Sequence, residues 1–140
     1  MSETRPPVSG SADIPARTML PSRRASLTQK VRVGNRRTLY LSTHDAPSPL
    51  ELFVRVRGQD CTAETVALYD ILARLVSVAL QHGAPLETVG ALLSGVKVEP
   101  AGLVTGHPTI HFCSSLPDAI GQHLLSLCAD AQQSHERKVR

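Results

Sequence analysis

LTQKVRVGNRRTLY, residues 27–40, decides the fold. Leu27, Val31 and Val33 alternate with Thr28, Lys30 and Arg32, the period-two pattern of a half-buried strand. Gly34-Asn35 marks a hairpin turn. A two-residue loop would set Arg32 against Arg37 and Val31 against Thr38. A three-residue loop, Gly34 to Arg36, sets Val31 against Leu39 and Lys30 against Tyr40. The second register keeps apolar residues on one face and avoids opposed like charges, so it is the one expected.

Working outward, a turn over His44–Pro49 leads to Leu50, Leu52, Val54 and Val56 alternating with Glu51, Phe53, Arg55 and Arg57. That is a third strand, closing a meander. Thr62 to His82 then reads as the longest helix. Its apolar residues leave only a narrow polar stripe of Asp70, Arg74, Ser77 and Gln81, so the helix is expected to be central and mostly buried, with Leu72 and Leu75 in the core. Asp70 and Arg74 stand at i, i+4, the spacing of a local ion pair. Gly83 closes this helix, Pro85 opens a second over Leu86–Ser94, and Gly95 stops it. Val96 and Val98 suggest a short strand. A last helix runs from Leu116 to Asp130, with Leu116, Ile120, Leu124 and Leu127 at helical spacing. The class is α+β: a small antiparallel meander packed against two to three helices.

Residues 1–18 are rich in Pro, Ser and Gly without periodicity, the composition of a disordered tail. One domain is expected over residues 19–130, and residues 131–140 form a polar tail. The chain has 140 residues, 41% hydrophobic and only 3% aromatic, so its core must be aliphatic. No apolar run approaches the ~20 residues of a membrane helix. The first residues lack the apolar stretch of a secretory signal, and three scattered cysteines make no disulfide framework. A cytoplasmic protein with reduced thiols is expected.

The net charge of +3 is unevenly spread. Residues 1–40 hold eight Lys/Arg and two Asp/Glu, a balance of +6; the rest hold seven and ten, a balance of −3. Such a basic front either packs on its own body or meets a polyanion. Its Arg23, Arg24, Lys30, Arg32, Arg36 and Arg37 have only Tyr40 as a neighbouring aromatic, which argues against a platform for single strands.

KVEPAGLVTGHPTIHFCSSLPDAI, residues 97–120, has the densest set of special residues. Gly102 and Gly106 allow positive φ, while Pro100 and Pro108 fix φ, so the segment reads as a shaped loop. An extended run from Thr109 to Cys113 follows, with Ile110 and Phe112 inward and His107, Thr109, His111 and Cys113 on the other face. His111 and Cys113 could give a metal two ligands, but zinc needs three or four and no CxxC or HExxH is present. Cys113 and Cys61 each lie just before a helix start, where a thiol pKa can fall, yet neither has an identifiable base, and no catalytic residue is assigned. Ser115 can cap the last helix, with Asp118 three residues on. The loop and the Ser114-Ser115 helix start could seat a phosphate, although the P-loop lysine and the GxGxxG spacing are absent. Arg23, Arg24, Lys30, Glu99, Gly102, Gly106, Ser114, Ser115 and Asp118 are the candidate ligand-binding residues.

LPSRRASLTQKVRVGN, ELFVRV, LVSVALQHGAPLETV, KVEPAGLVTGHP and SSLPDAI, in that order from about Leu20 to Leu125, resemble the TSCPD domain. That domain occurs at the C-terminus of adenosylcobalamin-dependent ribonucleotide reductases and as small free-standing bacterial proteins. The Thr-Ser-Cys-Pro-Asp run that names it falls on Ser114-Ser115-Leu116-Pro117-Asp118, with Leu116 at the cysteine position. The resemblance implies a setting in deoxyribonucleotide synthesis for DNA replication. It implies no activity, because the reductase barrel and its redox cysteine pair have no counterpart here. The expectation is a non-catalytic accessory domain with a ribonucleotide reductase as partner. It should bind no cofactor itself and meet adenosylcobalamin only through that partner. The alternative is a small nucleotide- or nucleic-acid-binding regulator using the basic arm and the Gly102–Ser115 loop.

Overall fold

The computed structural model describes residues 14–139, with side chains through residue 130. Three strands form the expected meander: β1 (Ser26–Val33), β2 (Arg37–His44) and β3 (Leu52–Arg57). Val31 pairs with Leu39 and Lys30 with Tyr40, the register of the three-residue loop, and Gly34 takes φ +56° in that loop. Leu39 then faces Val56 and Leu41 faces Val54, so the middle of the inner face is aliphatic, with buried Arg37 and Thr43 at its two ends. Leu27 departs from the expected pattern: it is exposed and lines an open pocket together with Leu127 and Asp130.

Helix α1 (Ala63–Gln81) follows β3, with Thr62 Oγ1 accepting the Thr65 N–H at 3.1 Å as its cap. Helix α2 (Leu86–Leu93) comes next, and after it β4 (Gly102–Thr105) and β5 (Phe112–Cys113) return to the sheet. The strand order is β3-β2-β1-β4-β5, all antiparallel. The shaped loop expected over Gly102–Gly106 is therefore largely a strand, because β1 offers a free edge to Val104 and Thr105. Val96 and Val98 form no strand; the Val98 N–H donates instead to the Ser114 carbonyl at 3.2 Å. Gly106 (φ +94°) crosses β1 so closely that a Cβ there would lie 2.9 Å from the Lys30 carbonyl oxygen.

Helix α3 (Leu116–Val139) runs past the expected end at Asp130, since nothing in residues 131–139 breaks a helix. It packs on α2 through two glycines: a Cβ on Gly121 would sit 2.6 Å from the Gly90 carbonyl oxygen. Of the tail expected over residues 1–18, residues 1–13 lie outside the described residues. The rest is pinned to the end of α1, where the Thr18 N–H donates to the Gln81 carbonyl at 2.8 Å and Arg17 Nε to Gln81 Oε1 at 2.6 Å.

One core lies between the inner face of the sheet and the three helices. It contains Val31, Val33, Leu39, Leu41, Val54 and Val56 from the sheet, and Ala73, Val76, Leu80, Leu93, Ile120 and Leu124 from the helices. The expectation of a mostly buried α1 is corrected. Leu68, Ile71, Leu75 and Val78 are 56, 48, 63 and 37% exposed, whereas Ser77 and Gln81, assigned to the polar stripe, are buried. The reason is the neighbour. β3 is the edge strand, and its unpaired backbone needs partners beside it. Ser77 Oγ accepts the Leu52 N–H at 2.9 Å, and Gln81 Nε2 donates to the Leu50 carbonyl at 3.0 Å. Those bonds turn the polar positions inward and one apolar stripe outward. Asp70 and Arg74 pair at 2.9 Å on the surface, as their spacing suggests.

Candidate ligand-binding face

Alternation along the strands points every second residue away from the core, and the pairing arranges those residues in rows. Arg57, Thr38, Arg32 and Thr105 make one row; Arg55, Tyr40 and Lys30 the next; Phe53, Ser42 and Thr28 a third. Leu103 and Phe112 lie opposite each other at the far side of the sheet, both exposed. No Asp or Glu occurs at an outward position of β1, β2 or β3. Lys30 Nζ and the Arg57 guanidinium each lie 5.7 Å from the centre of the Tyr40 ring. This face can attract an anion and offer it an aromatic surface. The sequence pattern credits the arm with Tyr40 alone. Phe53 and Phe112 are remote in sequence and reach the face only through strand pairing.

The other candidates meet different surroundings. Arg24 forms a two-pronged ion pair with Glu51, its Nε donating to Oε2 at 2.7 Å, so it serves the fold. Arg36 and Arg37 both hold Asp60, and these hydrogen bonds, Arg36 first, lower the Asp60 pKa to about 2. Arg23 is exposed, and so is Glu99, which precedes a cis proline peptide. Lys30 lies on the outer face, where Gly106 crosses its strand. Gly102 instead pairs with Cys113 in the sheet. The structure does not gather these candidates into one site.

The start of α3 is already filled. Ser115 Oγ accepts the Asp118 N–H at 2.9 Å, the expected cap. Asp118 Oδ1 accepts the Gly95 N–H at 2.8 Å, and Oδ2 accepts the Ser114 N–H at 2.8 Å. Burial raises the Asp118 pKa, but the bonds from Gly95, Ser114 and Gln122 outweigh it and leave the group below the usual carboxylate range. The chain's own carboxylate stands where a phosphate would sit, and it ties the end of α2 to α3. Asp118→Ala should lower stability by about 1–3 kcal/mol in urea unfolding, since two N–H groups lose their acceptor. An unchanged midpoint would contradict this tie.

His111 and Cys113 do not share a face: His111 is exposed and Cys113 fully buried. Of the expected inward pair, Ile110 is buried and Phe112 exposed, because β5 pairs with β4 so that Cys113 takes the core side. His107 is likewise buried. Burial pushes the Cys113 thiol up, opposite to what a nucleophile needs. Among the described residues no three His, Cys, Asp or Glu side chains are placed to hold a metal ion. No helix of the described residues is long and apolar enough to cross a membrane.

A pair that the sequence pattern does not reveal is His107 with His123, both buried. His107 Nδ1 accepts the N–H groups of Thr109 and Ile110, each at 3.1 Å, so its proton resides on Nε2. That nitrogen donates to His123 Nδ1 at 3.1 Å. The pair lines a pocket of about 620 Å³ with Ser126 and Asp130. Only their sixteen-residue separation is visible in sequence, and it carries no motif.

The model of the TSCPD domain matches residues 13–127. Over 112 residues the chain is 32% identical to a vitamin B12-dependent ribonucleotide reductase of Streptantibioticus cattleyicolor, covering 79% of this chain and 18% of that one. With the reductase of Agrobacterium fabrum the figures are 32% over 110 residues, 77% and 8%; with that of Rhodopirellula baltica, 30% over 111 residues, 79% and 10%. The chain thus spans under a fifth of the length of these relatives. No solved structure gives a significant match. The five-stranded sheet with its three helices and the match across nearly all described residues agree, and the chain belongs to the TSCPD domain family.

Proposed function

We propose that this chain is a non-catalytic accessory domain of ribonucleotide reduction that docks on a vitamin B12-dependent reductase through α1. The exposed stripe of Leu68, Ile71, Leu75 and Val78 carries the reading. These residues alternate at spacings of three and four, the pattern of a helix that lies against a partner. A contiguous apolar stripe on so small a domain marks an interaction surface. Charge beside it is compensated, since Arg74 is paired with Asp70. Its relatives carry the matching segment within far longer reductase chains, where such a face would meet the rest of the enzyme.

Adenosylcobalamin enters through the reductase alone. The residues here do not fit radical chemistry at a corrinoid: Cys113 is sealed in the core, and Cys61 and Cys128 are free thiols without a disulfide partner. The purified chain with adenosylcobalamin, a reductant and ribonucleotides should yield no deoxyribonucleotide. In size-exclusion chromatography it should co-elute with the reductase of the same cell. The double variant Ile71→Lys, Leu75→Lys should weaken that association by about a hundredfold or more, since burial of each apolar side chain contributes about 1.5–3 kcal/mol. Co-elution of the variant on a par with the native chain would sink the docking surface.

A further inference from the structure

We propose that the outer face of the sheet binds single-stranded nucleic acid, with phosphates on Lys30, Arg32, Arg55 and Arg57 and bases stacked on Tyr40 and Phe53. This face is distinct from the α1 stripe, so the inference goes beyond the reductase reading.

Charge argues first. The four cations stand in two adjacent rows with no carboxylate between them. The nearby acids are compensated: Asp60 is held by Arg36 and Arg37, and Asp70 by Arg74. Stacking argues second. Tyr40 lies in β2 with Lys30 of β1 on one side and Arg55 of β3 on the other, an alternation of cation and ring that suits a phosphate–base repeat. Phe53 is 53% exposed and stands one row further along, opposite Ser42. Tyr40, Phe53, Arg55 and Arg57 line one side of a groove of about 870 Å³ whose other side is formed by Val66, Ala67 and the Arg74-paired Asp70 of α1. Rings standing on a sheet reach only unpaired bases, whose faces are free, so a duplex would meet the cations and leave Tyr40 and Phe53 idle. An acidic peptide would do the same.

The test is fluorescence anisotropy of the full chain with a labelled single-stranded oligothymidylate, and with its duplex on oligoadenylate, over a range of salt. The single strand should bind more tightly than the duplex, with log K falling linearly against log salt. Arg32→Ala with Arg57→Ala should shrink that slope by about 0.7 for each phosphate that is no longer neutralised. Tyr40→Ala should weaken binding about five- to 150-fold with little change of slope, and Tyr40→Phe should retain it. Phe53→Ala is the second stacking variant should Tyr40→Ala lower the unfolding midpoint. Absence of salt-dependent binding, equal affinity for the duplex, or indifference to both aromatic variants would overturn the proposal. Displacement of the strand by dATP alone would reassign the face to a mononucleotide, which also overturns it. The Ile71→Lys, Leu75→Lys variant removes no proposed phosphate or base contact and adds two cations, so it should bind the strand at least as tightly as the native chain. Loss of reductase docking and loss of strand binding are therefore separable results.

Discussion

Leu41→Ala should lower the free energy of unfolding by about 2–5 kcal/mol in urea, while Leu75→Ala changes it by no more than about 0.5 kcal/mol. Leu41 is 0% exposed on the inner face of β2, opposite Val54 and within the single aliphatic core. Its truncation removes transfer energy and leaves a cavity that a sheet paired on both sides cannot close. Leu75 projects from the stripe of α1 that no described residue covers. Sequence periodicity alone ranks the two residues alike, and the contrast between them is what the structure adds. Losses of equal size would mean that α1 packs with its other face inward.

Acidification from pH 7.5 to pH 5 should destabilise the protein by about 2 kcal/mol through His123 alone. Burial, and then the neighbouring His107, lower the His123 pKa to about 4, while burial and His111 lower that of His107. The hydrogen bonds explain why the pair stays neutral: every nitrogen at the contact already has an assigned role, and a second proton would set donor against donor. Above pH 6.5 both folded and unfolded His123 are neutral and the full stability is present. Between 6.5 and about 4 only the unfolded chain takes up the proton, so stability falls with pH, and below about 4 this contribution stops changing. Asp130 partly opposes the shift without reversing it. Asp60 acts in a lower window: its depressed pKa gives stability above about 3.8 that is lost as pH falls towards about 2. Urea unfolding of the native chain and of His123→Leu at both pH values isolates the histidine. An identical pH dependence in the two proteins would refute its assignment as a buried neutral base.

Local chemistry was enough for several features. The hairpin register followed from which residues could share a face and which charges could not oppose, and Val31 does face Leu39. Ser115 as a cap, and Gly83 and Gly95 as helix stops at φ +98° and +81°, each rest on contacts within a few residues. The α+β class followed from the same periodicities, as did the family resemblance from motif order. What depended on distant neighbours did not follow. Whether Ser77 or Leu75 turns inward was decided by the bare edge of β3, whose backbone groups demanded a polar partner. Whether the start of α3 was open to an anion depended on where Asp118 pointed, and Gly95, 23 residues away, helps to hold it there. Phe53 joined Tyr40 on one surface because β2 pairs with β3, and His107 met His123 because a crossing loop was laid against α3. The sequence by itself determined the three meander strands and where the three helices begin, because period and turn chemistry are properties of a few adjacent residues. That Gly102–Thr105 joined the sheet, and Val96 and Val98 did not, depended on the open edge of β1. Only the tertiary structure decided which faces were covered, because that depends on the hydrogen-bonding and packing needs of whatever lies alongside.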